Sequence, residues 1–462
     1  MTHPDEMPTT TTELDPDSPT DRAAAKPKGK LRWLIVWLAF VAVTINYVDR
    51  ANLSVALPFM EKELNIDKTA AGVLLGAFFW TYALAQLPLG WLVDKFGSRI
   101  MFSIAVAWWS IFTAATAAAS SFASLFGLRL ALGVGEAGAF PAAARVVEEW
   151  FPRRERGIAS AIYDSGARGG TLLAIPVVTA LIAALGWRGS FLVTGGIGLI
   201  WVAVWVAVYR VPRLHRWMSK QELAYIEAGG AHTGRPEPEA ATASTPDDNR
   251  VGWRTLIRNR TIWGMALGFA CQSYVIYFFI TWFPTYLVDE RGFTLLKLGI
   301  WGTVPGLVAF LGNFLGGMVS DAQVRRGRSL TFARKSCIVG GMAGSAAIGL
   351  VGLAPGAVLA VALLSFSFGC VTFATSSIVA LPADIAPDSG RSLAGSIQGF
   401  QNGLANLAGI VSPIVIGALY GSTGSFGWGL ATAAFVALAG CAVYIFMVGK
   451  IEPLDRKEFA QP

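Results

Sequence analysis

Six ionisable residues stand inside long apolar runs: Asp49, Arg50, Arg129, Glu136, Asp164 and Arg168. A charge at the centre of a membrane helix costs about 3 kcal/mol or more, so each needs a partner, a wet cavity or a task. Arginine offers a planar fork that holds a carboxylate by two hydrogen bonds. A carboxyl group shielded from water is favoured neutral by burial and charged by a nearby arginine, so it can take up and release a proton. That chemistry is anion binding and proton movement. Bond-making catalysis has no matching set: the histidines are His3, His215 and His232, all outside the apolar runs, and no nucleophile–base pair appears. Cys271, Cys337, Cys370 and Cys441 lie in apolar runs without metal-ligand spacing, so no cofactor and no metal site is expected.

Spacing sorts the six. Asp49 and Arg50 are adjacent and project about 100° apart on a helix. Arg50 can clamp a carboxylate while Asp49 carries a proton or pairs elsewhere; a static brace between helices is the alternative. Arg129 and Glu136 are seven apart and share a face, with Gly133, Gly135 and Gly138 along it. They read as a permanent ion pair or as a proton site whose arginine contact changes with conformation. Asp164 and Arg168, four apart, can pair with each other. Otherwise Arg168 is a second positive point, suited to a substrate with two acid groups. Tyr47, Tyr82 and Tyr163, with Gln272, Tyr274, Gln398, Gln401, Asn402 and Asn406, are polar residues at span depth. They suit a hydroxyl-rich ligand, or bond helices together.

The elements that must hold these residues are membrane helices. Hydrophobic residues make up 54% of the 462-residue chain and charged residues 15%, against about a quarter charged in soluble domains. Apolar runs of about 20 residues, enough to cross a bilayer, recur near 33–57, 69–93, 100–120, 123–146, 158–183, 189–210, 261–287, 297–320, 335–353, 356–381, 393–418 and 426–448. The expected fold is an all-α membrane protein of twelve spans. Lys95 and Arg99, then Arg153, Arg154 and Arg156, then Arg325, Arg326, Arg328, Arg334 and Lys335 follow even-numbered spans. The intervening loops are nearly uncharged, so both termini are expected in the cytoplasm. The net charge of +7 falls in these loops, and no basic stripe with interleaved aromatics suggests nucleic acid.

The expected organisation is a disordered N-terminal tail over 1–30, a six-helix half over 31–210 and a polar cytoplasmic linker over 211–260. A second six-helix half over 261–450 and a C-terminal tail over 451–462 complete it. The halves read as repeats. Gly90-Trp-Leu-Val-Asp94-Lys-Phe-Gly97-Ser-Arg99 has a weaker counterpart at Gly317-Met-Val-Ser-Asp321, and Gly186-Trp187 is matched by Gly427-Trp428. Two pseudo-symmetric halves around a midplane site are a transporter architecture.

The Gly90–Arg99 string resembles the loop motif of the major facilitator superfamily. Gly90, Asp94, Gly97 and Arg99, with Asp321, are then expected to latch helices on the cytoplasmic face and stabilise an outward-facing state. A tight charged turn is the alternative. Asn46-Tyr47-Val48-Asp49-Arg50-Ala-Asn52-Leu-Ser54 resembles the first helix of the anion:cation symporter family within that superfamily. Tyr277-Phe-Phe-Ile-Thr281-Trp282-Phe-Pro284 resembles its seventh, and Gly133-Val-Gly-Glu136-Ala-Gly138 its fourth. The resemblance covers about residues 31–450.

It implies a secondary transporter of organic anions, related to bacterial importers of galactonate, glucarate and hexuronates. Arg50 would hold the substrate carboxylate, Tyr47 and Tyr82 would line its pocket, and Asn402 would face them. Gln272, Gln398 and Arg168 complete the expected substrate set. Asp49 and Glu136 would be the protonatable pair, with Arg129 tied to Glu136. Galactonate-type members carry a glutamine in the fifth helix where this chain has Ala167 beside Asp164 and Arg168, a departure nearer to glucarate-type carriers. Protons are the expected coupling ion, though no residue rules out sodium. The expected setting is a monomer in a bacterial inner membrane, with a small organic anion as partner. A phosphate-ester antiporter would place an arginine in the seventh span, and 261–287 has none. A drug exporter would show a Gly-Pro motif in the fifth. A receptor on the same fold has less need of buried charge pairs.

Overall fold

The computed structural model describes residues 29–233, 259–386 and 394–453. The expected tails and much of the expected linker therefore lie outside the described residues. Eleven helical stretches among those described are long and apolar enough to cross a bilayer. One of them, Arg156–Val208, has 53 residues. At 1.5 Å per residue it would run about 80 Å, far beyond a hydrocarbon core of about 30 Å. It bends back at Gly186, whose φ of 71° and ψ of 173° are not helical. A side chain would be strained there, so glycine makes the turn. Taking its two arms separately gives twelve spans.

In chain order the helices are α1 (Leu31–Leu64), α2 (Lys68–Phe96), α3 (Ser98–Ala115), α4 (Phe122–Glu136), α5 (Ala139–Trp150), α6 (Arg156–Val208) and α7 (Lys220–Ala228). There follow α8 (Arg260–Thr281), α9 (Phe283–Asp289), α10 (Leu295–Trp301), α11 (Thr303–Arg325), α12 (Leu330–Ser345), α13 (Ala357–Ile385), α14 (Ala394–Thr423) and α15 (Gly427–Phe446). Three spans are broken: α4 and α5 share the fourth, α8 and α9 the seventh, α10 and α11 the eighth. Caps mark the ends. Asp67 accepts from Ala70 N at the start of α2, and Thr294 and Ser329 do the same for α10 and α12.

The segment after α6 is built onto the first half. Ser219 caps α7, and Glu222 of α7 accepts from the backbone N–H groups of Leu31 and Arg32 at the start of α1. Arg32 then bridges Glu222 and Glu155, each at 2.9 Å. An acidic side chain at a helix N-terminus is favoured by the exposed N–H groups and the helix dipole. The part of the linker expectation that is described, 211–233, thus includes a strap against α1, α5 and α6.

The hydrophobic core shows how the halves meet. On the face away from the chain ends, here the far face, one buried cluster runs through both halves, from Leu53 and Leu75 to Phe278, Trp282 and Phe426. On the terminus face there are two. One, around Phe102, Trp150 and Trp205, belongs to the first half; the other, around Ile338, Ile378 and Tyr444, belongs to the second. At the far face α2 and α14 touch through glycine: a Cβ on Gly72 would stand 2.6 Å from the Pro413 carbonyl oxygen. Lys68 bonds to Glu61 of its own half and to Asp289 of the other. The halves close at the far face and part toward the terminus face.

Candidate functional site

A cavity of about 490 Å³ lies between the halves. All seven expected substrate residues line it: Arg50, Tyr47, Tyr82 and Arg168 from the first half, Gln272, Gln398 and Asn402 from the second. Arg50 comes from the middle of α1, where Asn46, one turn back, accepts from its Nη2 at 3.4 Å. Its guanidinium is stacked by aromatic rings: Tyr47 at 4.8 Å, Phe78 at 4.5 Å and Tyr82 at 5.0 Å to their centroids. Such a cage favours a cation and holds the fork in one orientation.

The fork is already occupied. Arg50 donates Nε (3.1 Å) and Nη2 (2.9 Å) to Oε2 of Glu136. Glu136 is wholly buried and Arg50 nearly so. The expected tie between Arg129 and Glu136 is therefore not the one formed. Arg129 rests over the Phe78 ring at 5.4 Å, its Nε without a partner, while Oε1 of Glu136 is also unpartnered. The reason is tertiary: α1 brings Arg50 from the side to a carboxylate at the very end of α4, and one oxygen takes both of its N–H groups. Glu136 sits there because α4 stops at that residue and the chain resumes as α5 at Ala139. The stop is tightly packed, with a Cβ on Gly133 only 2.3 Å from the Phe78 carbonyl oxygen.

Asp49 projects about 100° round the helix from Arg50, away from that fork. It is 0% exposed and neither carboxylate oxygen accepts a hydrogen bond. Two donors stand beside it, the Trp109 indole N–H and the Thr194 hydroxyl, which accepts from Asn52 Nδ2 at 3.0 Å and keeps its own hydrogen.

Asp164 and Arg168 pair at 2.7 Å across one helical turn and both line the cavity. On the opposite wall Gln272 gives its amide N–H groups to Thr375 Oγ1 (2.6 Å) and the Val371 carbonyl (3.3 Å), leaving its own oxygen unpartnered. Gln398 donates to Asn402 at 3.2 Å.

Other polar residues at span depth lie off the cavity. Tyr274 bonds two helices together through Thr432 at 3.2 Å, and Gln401 is buried away from the cavity, both polar atoms unpartnered. Tyr163 does not line the cavity either. The cavity adds Gln86, Tyr277 and Asn313, which sequence reasoning passed over as site residues. Asn313 was within reach as a lone amide in an apolar run, and Asn46 as the residue one turn before Arg50. Phe78 had no such signal.

The loop motif is disengaged here. Asp94 is exposed and forms no hydrogen bond or ion pair among the described residues. A Cβ on Gly90 would meet nothing within 4 Å, so no neighbouring helix packs against the motif there. The halves are apart at this face, which removes the surfaces the motif would touch. Gly97, at φ 81°, makes the turn between α2 and α3, and Arg99 donates to the Val206 carbonyl. Asp321 stays within its own half, 3.4 Å from Arg334, which also binds Asp384 at 2.8 Å.

Comparison with known proteins shows the family. The Major Facilitator Superfamily profile matches residues 39–397. The chain is 39% identical to the "D-galactonate transporter" of Escherichia coli O6:H1, covering 93% of this chain and 98% of that one. It is 35% identical to the "Probable galactarate/D-glucarate transporter GudP" of Bacillus subtilis, over 96% and 98%. It is also 35% identical to the "Probable sulfoacetate transporter SauU" of Cupriavidus necator, over 87% and 90%. Among solved structures, a bacterial homologue of the human lysosomal transporter Spinster superposes with a TM-score of 0.70 at 20% identity, covering 94% of each chain, a likeness of fold. The chain belongs to the Major Facilitator Superfamily, as a multi-pass membrane transporter of its anion:cation symporter branch.

Proposed function

We propose that the protein takes up a sugar acid together with protons across a bacterial inner membrane, by alternating access. Both termini are then cytoplasmic, the far face is external, and the structure is inward-facing. The observation that carries the reading is the single guanidinium of Arg50, caged by aromatic rings at the cavity wall and held by Glu136. A substrate carboxylate and the Glu136 carboxylate compete for one fork. Protonation of Glu136 releases the fork, and an arriving anion takes it. Substrate and proton therefore favour each other's binding, so the doubly loaded carrier is favoured over either singly loaded form. Asp49, buried with neither carboxylate oxygen hydrogen-bonded, is the second proton carrier, and Arg129 is the arginine to which Glu136 turns when Arg50 is taken. The amides of Gln272, Gln398 and Asn402 are placed for the hydroxyls of the substrate. The halves, as bounded in the sequence at 31–210 and 261–450, rock around this fixed site.

The relatives support the class: those above are named for galactonate, galactarate, glucarate and sulfoacetate. All four are small organic acids. A thermal-shift screen of the purified protein against sugar acids, dicarboxylates, sulfoacetate, aromatic acids and phosphate esters tests the reading, because a ligand of the folded state raises its apparent stability. A shift with sugar acids that disappears in Arg50→Ala is expected. A shift with phosphate esters or aromatic acids alone would overturn the substrate class.

A further inference from the structure

On the lipid side of the first half, at the terminus face, two arginines share one backbone oxygen. Arg99, in the first turn of α3, donates Nη2 to the Val206 carbonyl at 3.1 Å. Arg210, two residues beyond α6, donates Nη1 to the same carbonyl at 2.6 Å and to the Tyr209 carbonyl at 2.8 Å. The two guanidiniums are close enough to act on one another, and neither forms an ion pair among the described residues. The carboxylate behind them, Glu149, is turned inward. It accepts from Ser98 Oγ at 2.6 Å, from the Tyr209 hydroxyl, and from Arg145 at 3.3 Å. Two like charges thus converge on a neutral oxygen with no counter-charge.

Apolar surface surrounds them. Ile100 is 53% exposed and Val206 43%. Immediately past the end of α6, Leu214 is 75% and Trp217 53% exposed, and Arg216 lies over the Trp217 ring at 4.9 Å. An exposed tryptophan just outside a span belongs at the level of lipid headgroups. Arginine beside it presents N–H donors at phosphate depth while its stem stays in apolar surroundings. A soluble anion would have to reach this place alongside lipid.

We propose that Arg99 and Arg210 form a headgroup site for an anionic phospholipid of the terminus-side leaflet, with Leu214 and Trp217 anchored in the same leaflet. The phosphodiester oxygens accept from both forks and supply the missing counter-charge. The acyl chains follow the α3–α6 groove past Ile100. A zwitterionic lipid is disfavoured, because its ammonium would sit among Arg99, Arg210 and Arg216.

Native mass spectrometry of the full-length protein, titrated with phosphatidylglycerol or phosphatidylcholine, tests this. The wild type should retain phosphatidylglycerol in preference. Arg210→Gln should weaken that retention about fivefold, the effect of one basic residue at a membrane surface, and leave phosphatidylcholine unchanged. Its unfolding temperature in lipid-free detergent serves as the folding control, and Arg99→Gln takes its place if it misfolds. Equal retention of the two lipids, or unchanged retention by a folded variant, overturns the proposal. So does displacement of phosphatidylglycerol by inorganic phosphate at equal concentration, which would make the site one for a soluble anion.

Discussion

Glu136→Gln should make the protein bind its substrate more tightly while stopping it from accumulating that substrate. Glutamine keeps the size of the side chain and removes its charge, so it imitates the protonated acid. In the wild type an ionised Glu136 holds Nε and Nη2 of Arg50, with Glu136 wholly buried and Arg50 about 7% exposed. Separating a buried pair of this kind costs about 3 to 5 kcal/mol, because one charge is left uncompensated. A substrate carboxylate that takes the fork meets that cost in the wild type and avoids it in the variant. At about 1.4 kcal/mol per tenfold, the lower end of that range, about 3 kcal/mol, corresponds to about a hundredfold, and half of it recovered still leaves about tenfold. The gain should be largest in alkaline solution, where Glu136 is ionised, and should shrink as acid neutralises it. Isothermal titration with the sugar acid found in the ligand screen, at about pH 8 and about pH 5.5 on either side of neutrality, reads both quantities. Wild-type affinity should rise with acid, and the variant should be nearly flat. Equal affinities at alkaline pH, or the same pH dependence in both proteins, would refute the competition for one fork.

Further outcomes follow from other contacts. Arg50→Lys keeps the charge but not the fork, so it should lose most of its affinity for the anion, about tenfold or more in titration; wild-type affinity would show that the planar fork is not needed. Asp289→Asn removes the ion pair between Lys68 and the second half. For a partly exposed pair worth up to about 1 kcal/mol, it should raise the outward-facing population up to about fivefold, read by labelling of a cysteine introduced at Ala51 from the far face; unchanged labelling would remove Lys68 from the closure. Gly72→Leu should do the same more strongly, since even a Cβ there stands 2.6 Å from the Pro413 oxygen, and a Leu variant with unaltered accessibility would contradict the close approach. His215, in the strap beyond α6, is held below the ordinary imidazole value by burial, with the Val208 carbonyl opposing. Its neutral form therefore supports the strap fully above about pH 6.5, the unfolded value, and that support is lost as pH falls toward the lowered value. Hydrogen exchange of 212–233 should accelerate with acid in the wild type and less so in His215→Gln.

What the sequence could show was whatever is local. Gly186 was legible as the start of a span because glycine punctuates a helix that would otherwise run too long. The divergent directions of Asp49 and Arg50 followed from adjacency, and the Asp164–Arg168 pair from a spacing of one turn. The Arg50–Glu136 bond was not legible: its partners are 86 residues apart, and nothing periodic says which of two arginines reaches a given carboxylate. Arg129, on the same helix as Glu136, was the nearer guess and lost to a neighbouring helix. Lys68 reads in sequence as an ordinary charge at a span end, and only folding places Asp289 beside it. Tyr274 and Gln401, conspicuous as polar residues in apolar runs, read either as cavity lining or as bonds between helices. Helix rotation decides where they face, and it depends on packing.

The most direct test is uptake into proteoliposomes. With the medium acid outside and sodium absent, the wild type should accumulate the sugar acid above its external concentration and the lumen should acidify in step. Glu136→Gln should bind and exchange that substrate but not accumulate it. Accumulation that requires sodium, or that continues undiminished in Glu136→Gln, would contradict the coupling of one guanidinium to one proton and one anion.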